Sequence, residues 1–199
     1  MHFATHYYRK EFNMTEYPAK DKNKTFQCLE NWKELAAFVL EREGGYCNRK
    51  ADKGGPTNKG VTLATYRSVY GQSKTVEDLK RITDAEWEHI FKRYYWDKCK
   101  ADYIQDKSVA FILVDWAYNS GVKTAVTHLQ RIVGTNVDGI MGKQTLQAVN
   151  TRSPLPLFGA LKQDRIAFYK AIVAKNPSQK VNLNGWLNRV GHFAYGKFV

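Results

Sequence analysis

The chain is 199 residues long, which suits one compact domain, or one domain carrying a small appended part, better than two full domains. With 43% hydrophobic and 14% aromatic residues, its composition excludes disordered and collagen-like classes. Its 31 Lys and Arg against 19 Asp and Glu give a formal net charge of +12. Such a field draws the chain toward polyanions, and nucleic acid, acidic membrane surfaces and bacterial cell walls all qualify. A basic surface that only maintains solubility is the plainer alternative.

Residues 1–27 read as an N-terminal tail, since the stretch up to about Thr25 has no clear hydrophobic period. It also has no apolar run of signal-peptide length, so synthesis in the cytoplasm is expected. Three cysteines, Cys28, Cys47 and Cys99, cannot all pair within one chain and show no metal-ligand spacing, so they are read as free thiols. The longest apolar run, Val109 to Val114, falls far short of the roughly 20 residues that span a bilayer, so no stable membrane insertion is expected.

From Leu29 the pattern turns helical, with Trp32, Leu35, Ala36, Val39 and Leu40 at helical spacing before Gly44-Gly45 stops the helix. Tyr46 to Thr62, rich in glycine and polar residues, reads as a surface loop or short hairpin. Thr75 with Asp78 and Thr83 with Glu86 have capping-box spacing and mark two helix starts, the second followed by an apolar stripe through Trp87, Ile90, Phe91, Tyr94 and Tyr95. Ser108 to Tyr118 is apolar almost all round, as expected of a helix buried on every side, and Asn119-Ser120-Gly121 ends it. A helix over Val122 to Val133 ends at Gly134, a turn over Asn136 to Gly142 follows, and a short helix runs to about Asn150. Pro154 and Pro156 are expected to break the chain before a long helix through Phe158, Leu161, Ile166, Tyr169 and Val173. Trp186, Leu187, Val190 and Phe193 mark a last helix. The expected fold is mainly α, with a short loop or β-hairpin beside the site.

At 100° per residue from Trp32, Val39 lies at about −20°, Glu43 at about 20° and Glu41 at about 180°. Glu43 therefore points with the core stripe, and Glu41 points to solvent. A carboxyl at that place is sheltered from water and sits at the negative end of its helix, and both effects favour the protonated form that a general acid requires. From spacing alone, a Glu that merely ends a helix and bonds to a nearby Arg is the competing reading.

The motif Glu43-Gly44-Gly45-Tyr46, followed by Asp52-Lys53-Gly54-Gly55-Pro56-Thr57-Asn58-Lys59-Gly60-Val61-Thr62, resembles the signature of glycoside hydrolase family 108, a group of bacterial and phage muramidases. Asp115-Trp116-Ala117-Tyr118-Asn119-Ser120-Gly121 and Asn184-Gly185-Trp186-Leu187-Asn188-Arg189 are similar to its second and third motifs. The chain departs from the family at Cys47, Arg49-Lys50 and Lys53. The resemblance implies a lysozyme-like fold over 28–121 and hydrolysis of the β-1,4 bond between N-acetylmuramic acid and N-acetylglucosamine in peptidoglycan glycan strands. Glu43 would be the catalytic acid. Tyr46, Asp52, Thr57, Asn58 and Asn119 would bind the sugar or orient water, although Asp52 suits a turn equally well and Asn119 suits a helix cap. Asp115, in an apolar helix, is either a structural acceptor or a residue at the site.

Val137-Asp138-Gly139-Ile140-Met141-Gly142-Lys143-Gln144-Thr145 resembles the turn of peptidoglycan-binding modules, which assigns 122–199 to a peptidoglycan-binding-like part. A turn that only links helices is the alternative. No metal, cofactor or nucleic-acid partner is implied. Reaching the wall would take a holin or secretion machinery. The rival functions are a wall-binding protein without turnover and, with no nucleic-acid motif behind it, a basic nucleic-acid-binding protein.

Overall fold

The computed structural model describes residues 31–48 and 55–198, so the expected tail, Cys28 and Asp52 lie outside the described residues. The described residues form one compact unit. Its first helix, α1 (Asn31–Arg42), buries Leu35, Ala36 and Val39. Two short antiparallel strands, β1 (Thr57–Asn58) and β2 (Val61–Thr62), make the expected hairpin, and a bridge from Cys47 to Thr57 ties the chain after α1 to it.

The helix α2 (Leu63–Tyr70) has no counterpart in the hydrophobic period, because its eight residues bury only Leu63 and Tyr66. A local cap specifies it instead: Thr62 Oγ1 accepts from Thr65 N at 3.1 Å. Both expected capping boxes form, opening α3 (Val76–Lys80) and α4 (Asp84–Phe91). Each supplies reciprocal partners to orphan amides, and Thr83 N, for example, donates to Glu86 Oε2 at 2.9 Å.

After α4 the chain passes through a π-helical turn, Lys92–Trp96. Trp96 is buried within it and donates from Nε1 to Asp102 at 2.7 Å. The helix α5 (Lys107–Ser120) is buried along its length from Ser108 to Ala117, as its uninterrupted apolar sequence requires. Around it pack α1, the π-helical turn, α6 (Val122–Val133) and α8 (Pro154–Lys175), with α7 (Lys143–Thr151) against α6. No helix of the described residues is long and apolar enough to cross a membrane.

Two expectations are corrected. Pro154 and Pro156 do not break the chain before the long helix but stand in the first turn of α8, where the missing N–H is unpaired in any helix. Phe193 is not on the last helix. That helix, α9 (Lys180–Gly191), ends before it, and Phe193 opens a second hairpin, β3 (Phe193–Ala194) with β4 (Lys197–Phe198). The hairpin docks on the start of α5, since Tyr195 donates to Asp106 at 2.9 Å and Gly196 N donates to Ser108 Oγ at 2.9 Å. These polar contacts let a buried Phe193 keep the spacing of a helical stripe without being helical.

Candidate active site

Glu43 follows directly on α1, and its N–H still donates to Leu40 O at 3.3 Å, so the residue keeps the direction of the helix face that buries Val39. Its side chain is 14% exposed, whereas that of Glu41 is 76% exposed and pairs with Arg42 at 2.8 Å. The opposed faces expected from helical geometry are therefore present.

The β1–β2 turn closes on Glu43. Lys59 and Gly60, its central residues, both have positive φ, 47° and 73°, the requirement of a tight two-residue hairpin turn. A Cβ on Gly60 would lie 2.3 Å from the Tyr118 hydroxyl and 2.8 Å from Glu43 Oε2. Only glycine allows the backbone to pass so near the carboxylate. The same turn is fastened from behind, because Lys59 O accepts from Tyr118 OH at 2.6 Å and from Trp87 Nε1 at 2.8 Å.

Tyr118 stands beside Tyr95, with ring centroids 4.8 Å apart, and Trp87 and Phe91 back them. Burial first, and then the charge of a Glu43 carboxylate, raises both phenols above their ordinary value. Near neutral pH both rings are uncharged. Glu43 thus has one apolar, neutral wall, supplied by α4, the π-helical turn and the end of α5.

Its other neighbour is a charge. Arg189 Nη1, on α9, donates to Glu43 Oε1 at 2.8 Å, while Glu43 Oε2 has no hydrogen-bond partner among the described residues. The rest of the guanidinium is held by Asp115, with Nε 3.0 Å and 3.2 Å from its two oxygens and Nη2 2.8 Å from Oδ1. Asp115 is fully buried and also meets Arg165 Nη2 at 2.8 Å. Burial alone would push its carboxyl up, but the charges of Arg165 and Arg189 outweigh that and hold it below the ordinary carboxylate range. Reciprocally, burial disfavours the Arg189 cation, but Asp115 and Glu43 more than offset it and raise its pKa. Two carboxyls and two guanidiniums thus alternate from the surface inward: Glu43, Arg189, Asp115, Arg165.

The residues singled out by sequence fall in different places. Asn119 is exposed at the end of α5 and, oriented to satisfy both groups, accepts from Arg189 Nε at 2.7 Å, which brings it to the site. Thr57 is half-buried in β1 and donates from Oγ1 to Gly55 O at 3.0 Å. Asn58 is 5% exposed, and its amide is spent on Leu79 O at 2.9 Å and Lys80 O at 3.0 Å, tying the hairpin to α3. Tyr46 is exposed, with the Lys80 ammonium 5.0 Å from its ring centroid. Asp52 lies outside the described residues.

Sequence reasoning assigned no role to Arg189 or Tyr118, and gave Gly60, as one of the loop glycines, only the close approach of backbone to a sugar. Arg189 and Tyr118 stand inside the quoted motifs, and the Lys59-Gly60 pair carried a turn signal. In the Val137–Thr145 segment the polar groups close on themselves. Gln130, 1% exposed, donates to Asp138 at 2.7 Å and to Ile140 O at 3.0 Å and accepts from Gly139 N at 2.8 Å. Gly139 has φ +76°, and a Cβ there would lie 2.6 Å from Lys123. Cys47 and Cys99 are free thiols, the latter buried and pushed up to about 12 by burial.

Comparison with known proteins bears on what this arrangement is for. Residues 36–121 match the family model "Glycosyl hydrolase 108", and residues 124–191 match "Predicted Peptidoglycan domain". No curated protein matches the chain. Among solved structures the chain is similar to that of Brucella abortus SagA, with a TM-score of 0.68 and 28% identity over 83% of this chain and 96% of that one.

Proposed function

We propose that this chain, which carries a glycosyl hydrolase 108 domain followed by a predicted peptidoglycan domain, is a muramidase that cleaves the β-1,4 bond between N-acetylmuramic acid and N-acetylglucosamine. The observation that carries the reading is Glu43 itself. It is a carboxyl 14% exposed, with one oxygen bonded to Arg189 and the other uncommitted beside a glycine turn. An acid for glycoside cleavage needs this combination: a fixed orientation, and an oxygen free to hold the proton for the leaving oxygen.

In this reading Glu43 protonates the glycosidic oxygen. Asp52 and Thr57 act on the attacking water or on the sugar, and Asn119 and Tyr46, both exposed, contact the saccharide. Asn58 supports the hairpin, with its amide already spent on α3. The net charge of +12 holds the enzyme on an anionic wall.

Mass analysis of a digest of purified peptidoglycan tests the bond assignment. Fragments with reducing ends on N-acetylmuramic acid are expected. Reducing ends on N-acetylglucosamine, or anhydro ends from transglycosylation, would reject the bond, and no fragments at all would leave a wall-binding protein.

A further inference from the structure

We infer that Arg189 is a positioning residue for Glu43, so that the segment matched as a predicted peptidoglycan domain completes the catalytic centre as well as serving the wall. This rests on the reading of Glu43 as the acid. Arg189 lies on α9, inside residues 124–191, and meets Glu43 across 146 positions of sequence.

The geometry is that of a fork fixed at its base. A guanidinium is planar, so anchoring Nε and Nη2 on Asp115 leaves Nη1 a single direction, and that direction ends on Glu43 Oε1. Asp115 is itself immobilised in the core of α5, where Arg165, also from the C-terminal segment, meets its other oxygen. The orientation of the acid is therefore set from the centre of the molecule, through a side chain of one matched segment resting on a carboxylate of the other.

Arg189 divides its charged hydrogen bonds between two carboxylates, with Nε and Nη2 on Asp115 and Nη1 on Glu43. Without the fork Glu43 loses its orientation, so turnover falls while substrate binding is kept. Loss of fold alone lowers the unfolding midpoint together with activity.

The experiment uses the full chain as wild type, Arg189→Met, Arg189→Lys and Glu43→Gln, with kcat and KM measured on soluble glycan fragments and thermal unfolding recorded for each. Arg189→Met leaves Asp115 paired with Arg165, so the core keeps a neutral pair. It is expected to lower kcat about 10²-fold, the scale of a misplaced catalytic group, with KM little changed. Arg189→Lys, which keeps the charge but not the fork, is expected to recover kcat in part. Wild-type kcat in Arg189→Met, or a loss confined to KM, overturns the inference. Should Arg189→Met fail to fold, Arg189→Lys decides: kcat down roughly tenfold with KM little changed supports positioning, and wild-type kcat rejects it. An active Glu43→Gln would remove the proposed function together with this inference, whereas an inactive Glu43→Gln beside a fully active Arg189→Met would remove this inference alone.

Discussion

Glu43 and Asp115 share one guanidinium, yet they belong to different regions of the molecule. Glu43 is at the rim, 14% exposed, with one oxygen bonded to Arg189 and the other without a hydrogen-bond partner among the described residues. Asp115 is in the core, fully sealed, with both oxygens committed to Arg189 and one also facing Arg165. The proposed acid keeps an oxygen with something left to do, and the buried carboxylate has none. The same residue class beside the same partner thus divides by burial and by how its lone pairs are spent.

The sharpest way to break this comparison is at its buried end. Asp115→Asn would leave two guanidiniums facing a neutral amide, one of them Arg165, whose Nη2 faces Asp115 at 2.8 Å and whose Nη1 has no hydrogen-bond partner among the described residues. Removing one member of a buried ion pair costs about 3–5 kcal/mol, so a large fall in the unfolding midpoint is expected near neutral pH. The pH dependence follows from the lowered pKa of Asp115. A carboxyl held below its unfolded value contributes stability that is present above that value and lost as pH falls through the folded one. The gap between wild type and Asp115→Asn should therefore be full above pH 3.8 and shrink below it, as calorimetry across that range would read. A gap independent of pH would remove the ion-pair account.

A smaller effect is expected where the rim meets the hairpin. Gly60→Ala places a methyl 2.8 Å from Glu43 Oε2 and 2.3 Å from the Tyr118 hydroxyl at a φ of +73°. Strain and overpacking together should cost about 1–3 kcal/mol and lower kcat by displacing the acid. Gly55→Ala is the control, since Gly55 has φ +67° but open space around its Cβ position. It carries the backbone cost alone, and kcat should stay at the wild-type level. Equal losses of kcat in both would show that the approach of Gly60 to Glu43 has no catalytic consequence.

The smallest effect belongs to Glu41, two residues from the acid but on the opposite face, 76% exposed and paired with Arg42. Glu41→Gln should change stability by less than about 1 kcal/mol and leave turnover unchanged. A collapse of activity there, with Glu43→Gln active, would reverse the assignment of helix faces.

Much of the fold was legible because it is written locally. The two capping boxes, the apolar run of α5 and the stop at Gly44-Gly45 each specify structure within a few residues. The face of Glu43 was legible for the same reason, because helical geometry needs only the positions of Val39 and its neighbours. The partner of Glu43 was not: a helical wheel allows an arginine but cannot choose Arg189 from 146 positions away. Asn58 shows the limit from the other side. A polar residue in a family motif looks available until packing reveals that Leu79 and Lys80 have used its amide. Pro154 and Phe193 mislead through ambiguity, since proline starts helices as well as ending them and a hydrophobic residue at helical spacing can belong to a strand.

The central claim, that Glu43 is where the chemistry happens, is tested most directly by the turnover of Glu43→Gln on purified peptidoglycan beside wild type, with thermal unfolding and wall binding measured on the same preparations. The amide keeps the shape of the side chain and cannot give up a proton as an acid. A loss of about 10²–10⁴-fold or more in turnover, with unfolding and wall binding matched to wild type, is the expected result. Hydrolysis near the wild-type rate by a fully folded Glu43→Gln would contradict it.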